Sequence, residues 1–133
     1  MKFIWTFFTC LIFAFSLSAQ DKQRSEQIES VKVAFITQKL DLNSSEAEKF
    51  WPVYNNYQRE MKVVFNARRT AKNDPDDKLD GELDIETRLL DTRKKYKQEF
   101  SKVIASEKVS LFFQAEREFR EQMIKELRER RKN

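Results

Sequence analysis

One glycine and two prolines punctuate the whole chain of 133 residues, and that scarcity limits its fold more than any motif does. Tight β-hairpin turns draw on residues that accept a positive φ, glycine above all. No stretch alternates apolar and polar residues for long enough to read as a strand, whereas apolar residues recur three and four apart along most of the length. Charged residues make up 36% of the chain, and the Glu, Lys, Arg and Gln side chains that dominate its polar positions lose little freedom in a helix. The expected fold class is all-α, with about four helices in elongated antiparallel hairpins that form a thin bundle.

The clearest helix start is Asn43-Ser-Ser-Glu46. The Asn43 side chain can accept a first-turn N–H, and Glu46 can reach back to the Asn43 N–H, which is the reciprocal pattern of a capping box. A long second helix should therefore begin at Ser44, carrying Ala47, Phe50, Tyr54, Tyr57, Met61, Val64 and Phe65 as a core stripe widened by Trp51. Pro52 lies inside it, removing one donor and crowding the carbonyl of Glu48, so a kink is expected there. The alternative is a short turn from Ser44 to Trp51 followed by a helix that starts at Pro52. Curvature at Pro52 would make the bundle concave.

The other helices follow from the same spacing. Before the cap, Ile28, Val31 and Phe35 run beside Val33, Ile36 and Leu40, in a helix well formed from about Ser25, with Asp41 and Leu42 as a short link. Lys72 to Glu82 holds Pro75, Gly81 and four aspartates and reads as a loop. Asp76, Asp80 and Gly81 match positions one, five and six of a calcium loop, but Lys78 and Thr87 occupy positions three and twelve, where a second carboxylate or amide and a bidentate glutamate are needed. A third helix, capped by Asp84, carries Leu89, Leu90, Tyr96, Phe100, Val103 and Ile104, with only Thr92 and Arg93 on its middle turn. Ser106 caps a fourth, whose stripe is Val109, Phe112, Phe119, Met123 and Leu127, broadened by Leu111, Phe113 and Ile124. Glu116/Arg120, Glu121/Lys125 and Glu126/Arg130 are spaced for ion pairs along its outer face. The adjacent apolar trio Leu111, Phe112 and Phe113 cannot all follow one stripe and is the expected apolar binding surface.

The N-terminus bounds the chemistry. Lys2 precedes an apolar run from Phe3 to Phe15, and small residues follow up to Ala19. This is the three-part pattern of a secretory signal peptide cut after Ala19, giving residues 1–19 as signal and 20–133 as a single helical domain. The run is shorter than the roughly 20 residues that span a bilayer, so no stable membrane insertion is expected after cleavage. Cys10 leaves with the signal, and the remaining chain has neither cysteine nor histidine. Disulfides are then impossible, and soft or borderline metals lack their usual donors. No cofactor and no catalytic set is expected, because the serines have no histidine partner. The basic pairs Arg68-Arg69 and Lys94-Lys95 and the tail Arg128-Glu-Arg-Arg-Lys132 are interleaved with glutamates, which fits solvated helix faces rather than nucleic-acid binding.

Leu42-Asn-Ser-Ser-Glu46 resembles the Leu-Thr-x-x-Gln motif of the Spy/CpxP-like periplasmic proteins, with Asn43 at the capping threonine and Glu46 at the glutamine. Phe50, Trp51, Pro52 and Tyr54 look like the run that follows it in Bacteroidetes relatives described as sensors of ECF-type sigma factor. Val103-Ile-Ala-Ser-Glu-Lys-Val109 and the block from Phe112 to Phe119 are similar to the group's second region. The resemblance covers most of the chain after residue 19. It implies a helical periplasmic protein, often a dimer, that binds unfolded proteins without ATP as a chaperone or takes part in the envelope stress response. The alternative expectation is a sensor or adaptor module, binding one specific membrane or sigma-factor-pathway partner through an apolar groove.

Overall fold

The computed structural model describes the backbone of residues 4–71 and 78–132, and side chains within 19–70 and 78–132. Four helices account for almost all of it: α1 (Ile4–Leu40), α2 (Ser44–Ala71), α3 (Lys78–Ser101) and α4 (Ser106–Lys132). There is no strand among the described residues. The protein is all-α.

Helix α1 begins much earlier than Ser25. Its polar stretch from Gln20 to Ser30 is solvent-exposed yet helical, because Gln, Lys, Arg and Glu are good helix formers and no glycine or proline interrupts them. The helix ends at Leu40, and the chain turns on Asp41 at φ 46°. This is the left-handed region, which the short polar aspartate tolerates better than most residues with a Cβ.

Helix α2 starts as expected, its first backbone bond running from Ala47 N–H to the Asn43 carbonyl at 2.9 Å. It continues unbroken through Pro52, which excludes the arrangement of a short turn and a separate helix.

Helix α3 departs from expectation. It starts at Lys78, six residues before the expected cap at Asp84, and contains Gly81. Asp80 in the first turn favours the positive end of the helix dipole. Acidic residues suit that position as well as they suit a loop, so composition misplaces the boundary. Asp84 is interior, with its carboxylate 3.9 Å from Arg88. Residues 72–77, including Pro75 and Asp76, lie outside the described residues.

At its C-terminus α3 tightens. The Phe100 carbonyl accepts from both the Val103 and Ile104 N–H groups at 3.0 Å, so the helix stops at Ser101 while Ile104 remains buried in the connection. That turn delivers Ala105, not Ser106, to the capping position: the Val109 N–H bonds the Ala105 carbonyl at 3.1 Å.

The chain divides into two compact units, unit 1 from Met1–Lys39 with Ala115–Asn133, and unit 2 from Leu40–Gln114. Unit 2 is built on the antiparallel pair α2 and α3: Phe50 meets Phe100 at 5.2 Å between ring centroids, and Tyr57 meets Tyr96 at 5.2 Å. Phe112 enters from the start of α4, 4.5 Å from the Phe100 ring and 5.6 Å from that of Phe50. Burying each such ring contributes on the order of 2 kcal/mol. Met61, Val64, Ile85 and Leu89 extend the core along the hairpin, whereas Phe65 and Leu90, expected on the stripes, are exposed. Ile85 escaped the sequence reading because it falls one residue after the expected cap. Thr92 and Arg93 are half-buried on the polar middle turn, and the Thr92 hydroxyl donates to its own helix at the Arg88 carbonyl, 2.8 Å away.

Unit 1 pairs α1 with the later part of α4. The Phe35 and Phe119 rings lie 5.8 Å apart, Lys39 bonds Glu118 at 2.7 Å, and Lys32 lies 3.6 Å from Glu116. Glu116, expected to face Arg120, thus turns toward α1.

Candidate functional site

The motif positions in unit 2 converge on a joint. Glu46 N–H donates to Asn43 Oδ1 at 2.9 Å, and Asn43 N–H donates to Glu46 Oε2 at 3.1 Å, which completes the capping box. Lys108, from the first turn of α4, donates through Nζ to the same Glu46 oxygen at 2.7 Å and to the Asp41 carbonyl at 2.8 Å. One ammonium group therefore bridges the left-handed turn and the helix cap. The Lys108 bond, followed by that from the Asn43 N–H, holds the Glu46 carboxyl below its usual pKa of 4.5.

Lys108 was missed as a site residue, although a signal existed. It closes Ile104-Ala-Ser-Glu-Lys108 as Glu46 closes Leu42-Asn-Ser-Ser-Glu46, and the two final residues carry opposite charge.

The other motif residues divide by burial. Phe50 and Tyr54 are buried, Leu42 and Trp51 half-buried, and Asn43 and Pro52 exposed. Trp51 meets the Phe50 ring edge-on at 4.9 Å and the Tyr54 ring at 5.1 Å. These residues are structural anchors of unit 2.

The trio expected to form an apolar surface does not hold together. Phe112 is fully buried, packed edge-on against Tyr57 at 5.7 Å and against Phe50, and tilted against Phe100. Phe113 is half-buried, 6.2 Å from both Tyr57 and Phe100. Only Leu111 is exposed, at 41%. Successive helical positions are about 100° apart, so the middle residue takes the core and its neighbours flank it.

A polar cluster lies on the outer side of the hairpin. Glu60 Oε1 accepts from Lys95 Nζ at 2.6 Å and from the Tyr96 hydroxyl at 2.8 Å. The Lys95 bond leads in holding the Glu60 carboxyl low, with Tyr96 adding to it. Burial, then the bond to Glu60, pushes the Tyr96 hydroxyl up to about 12. With Val53, Asn56, Arg59 and Glu99 the cluster lines a depression of about 400 Å³. Its carboxylate is engaged on one oxygen by two donors, which suits fastening the hairpin better than moving protons.

Exposed apolar side chains occur in both units, Val63, Leu79 and Leu83 of unit 2 among them, and an apolar concavity lies in unit 1. Ile28, Val31, Met123 and Leu127 floor a groove of about 460 Å³ between α1 and α4, bordered by Arg24, Gln27, Glu126 and Arg130. Ile28, Val31 and Leu127 are 43%, 56% and 52% exposed. Glu126 and Arg130 approach to 4.0 Å. Large apolar side chains grouped in a concavity and ringed by charge provide a seat for apolar groups of another molecule. Sequence periodicity identified these residues as core stripe, because it cannot show which part of a stripe lacks a covering element.

Among the described residues no helix is long and apolar enough to cross a membrane, and no three His, Cys, Asp or Glu side chains are grouped to hold a metal. Compared with known protein families, curated proteins and solved structures, the chain has no match.

Proposed function

We propose that this chain is a Spy/CpxP-like periplasmic protein, delivered by a signal peptide cleaved after Ala19, that acts as an ATP-independent holdase or envelope-stress accessory for non-native proteins. The observation that carries the reading is the open groove of Ile28, Val31, Met123 and Leu127 with its charged border. Unfolded chains expose apolar side chains that a folded partner can shield without a chemical step, and mixed surface charge keeps such a complex in solution. The resemblance of residues 42–54, 103–109 and 112–119 to that group's motifs supports the family part of the reading.

The test is suppression of client aggregation by the purified protein, followed by light scattering against an inert helical control. Suppression that falls on Leu127→Asp substitution is the expected result; none above the control removes the proposal.

The same groove supports a second reading, because fixed charges at its border favour selectivity. In that case the protein is a sensor or adaptor that receives one segment of a specific membrane or sigma-factor-pathway partner. Crosslinking in the cell envelope from a photoreactive residue at position 127 separates the two: many clients identify a holdase, one dominant adduct an adaptor.

A further inference from the structure

Unit 2 contains fourteen Lys and Arg against fourteen Asp and Glu, so the whole positive excess of the chain lies on unit 1. Within unit 1 after residue 19 that excess is local. Residues 124–133 hold five Lys and Arg against two Glu, and elsewhere the charges cancel. This basic segment is the end of α4 that contributes Glu126, Leu127 and Arg130 to the groove.

The groove is also directional. On α1, Arg24 precedes Ile28 by one turn, and on α4, Arg130 follows Leu127 by nearly one turn. Both arginines border the same groove in an antiparallel pair, so they share one end and leave the apolar floor at the other. Among the described residues Arg130 has an exposed contact of 4.0 Å with Glu126. Such a pair is worth little in water and exchanges readily for an incoming carboxylate. The planar guanidinium fork matches a carboxylate in a way that an ammonium does not.

Resting on the reading of this groove as a protein-binding seat, we infer that its occupant is a peptide segment with two large apolar side chains about one helical turn apart and acidic residues on one side of that pair. The apolar pair fills the floor over Ile28, Val31, Met123 and Leu127, and the carboxylates meet Arg24 and Arg130. A membrane surface fits less well, because an interfacial helix inserts a projecting apolar face, whereas here the exposed apolar side chains form the floor of a depression.

Fluorescence anisotropy with three labelled peptides tests the inference: one with two leucines and two following glutamates, one with lysines for the glutamates, and one with alanines for the leucines. The acidic peptide should bind at least about tenfold more tightly than the basic one, the alanine peptide should bind weakly, and rising salt should erode the preference. The double variant Arg24→Glu, Arg130→Glu, checked for retained helicity by circular dichroism, should invert it. If that variant loses its fold, the salt dependence of the wild-type preference decides.

Equal affinity for the acidic and basic peptides overturns the inference, as does tighter binding to phosphatidylglycerol vesicles than to any peptide. An aggregation assay run in parallel keeps the two levels apart. Suppression without charge preference defeats this inference and leaves the holdase reading standing, whereas neither suppression nor binding of any peptide defeats both.

Discussion

In unit 2, Phe50, Tyr54, Tyr57, Phe100 and Phe112 are sealed from solvent and share ring contacts. In unit 1 the equivalent stripe residues Ile28, Val31 and Leu127 stay open. Both regions are helical and both carry apolar stripes at the same spacing. They differ in the number of walls: unit 2 closes its core with α2, α3 and the first turns of α4, whereas unit 1 has two helices. Two helices can cover only one side of each other's stripe, so the remainder faces water unless something else arrives. Electrostatics follows the same division, with unit 2 neutral and unit 1 basic near its groove. Around the first turns of α4 an apolar stripe is thus sealed by three elements, whereas along the hairpin's outer positions Phe65 and Leu90, and in unit 1 Ile28, Val31 and Leu127, it stays open.

The contrast can be broken most severely at the sealed core. Phe112→Ala should destabilise the protein by about 3–5 kcal/mol, the range for a large aromatic truncated in a packed interior, read by urea denaturation. A loss below about 1 kcal/mol would mean that the two units pack equally loosely. Asn43→Ala removes the acceptor for the Glu46 N–H and should cost about 1 kcal/mol, with faster amide exchange in the first turn of α2 as its local signature.

Acid and alkali sharpen the comparison through unit 2 alone. Glu46 and Glu60 have depressed pKa values, so their contribution is present above the ordinary carboxylate value of 4.5 and lost as pH falls through the lowered folded values. Lys108→Met should flatten that acid limb of a stability-against-pH curve. Tyr96 behaves in the opposite sense. Its contribution is complete below the ordinary tyrosine value of 10 and lost as pH rises toward about 12, and Tyr96→Phe should abolish that alkaline loss. The smallest effect belongs to the open groove, where Leu127→Ala should change stability by no more than about 0.5 kcal/mol while weakening client capture.

The sequence specifies helices and their apolar spacing, while among the three expected caps it places Asn43 correctly and misplaces Asp84 and Ser106. The Asn43/Glu46 cap is an interaction across three residues, so its whole geometry was implicit in four letters. The start of α3 was misplaced because Asp80 and Glu82 suit a first turn as well as a loop, and Ile85 was lost with it. Periodicity places Phe112 on the stripe with Val109 and Phe119, and all three are buried, whereas grouping it with Leu111 and Phe113 as an outward surface follows composition and fails. Lys108 meets a partner 62 residues away, and the local trace of that meeting is limited to the opposite charges that close Ile104-Ala-Ser-Glu-Lys108 and Leu42-Asn-Ser-Ser-Glu46. The groove was read as core for the same reason, since exposure depends on what is missing opposite it.

Unit 2 is one continuous stretch, Leu40–Gln114, whereas unit 1 is assembled from the two ends of the chain. On a chain that emerges from its N-terminus, every partner within unit 2 is present before Met123 and Leu127 have been made. Phe35 then waits for Phe119 across the longest separation among the ring contacts described here, and contacts of that span close slowly. The groove is accordingly the last surface to appear, and a chain stalled or truncated before Met123 would hold the aromatic core of unit 2 without the groove.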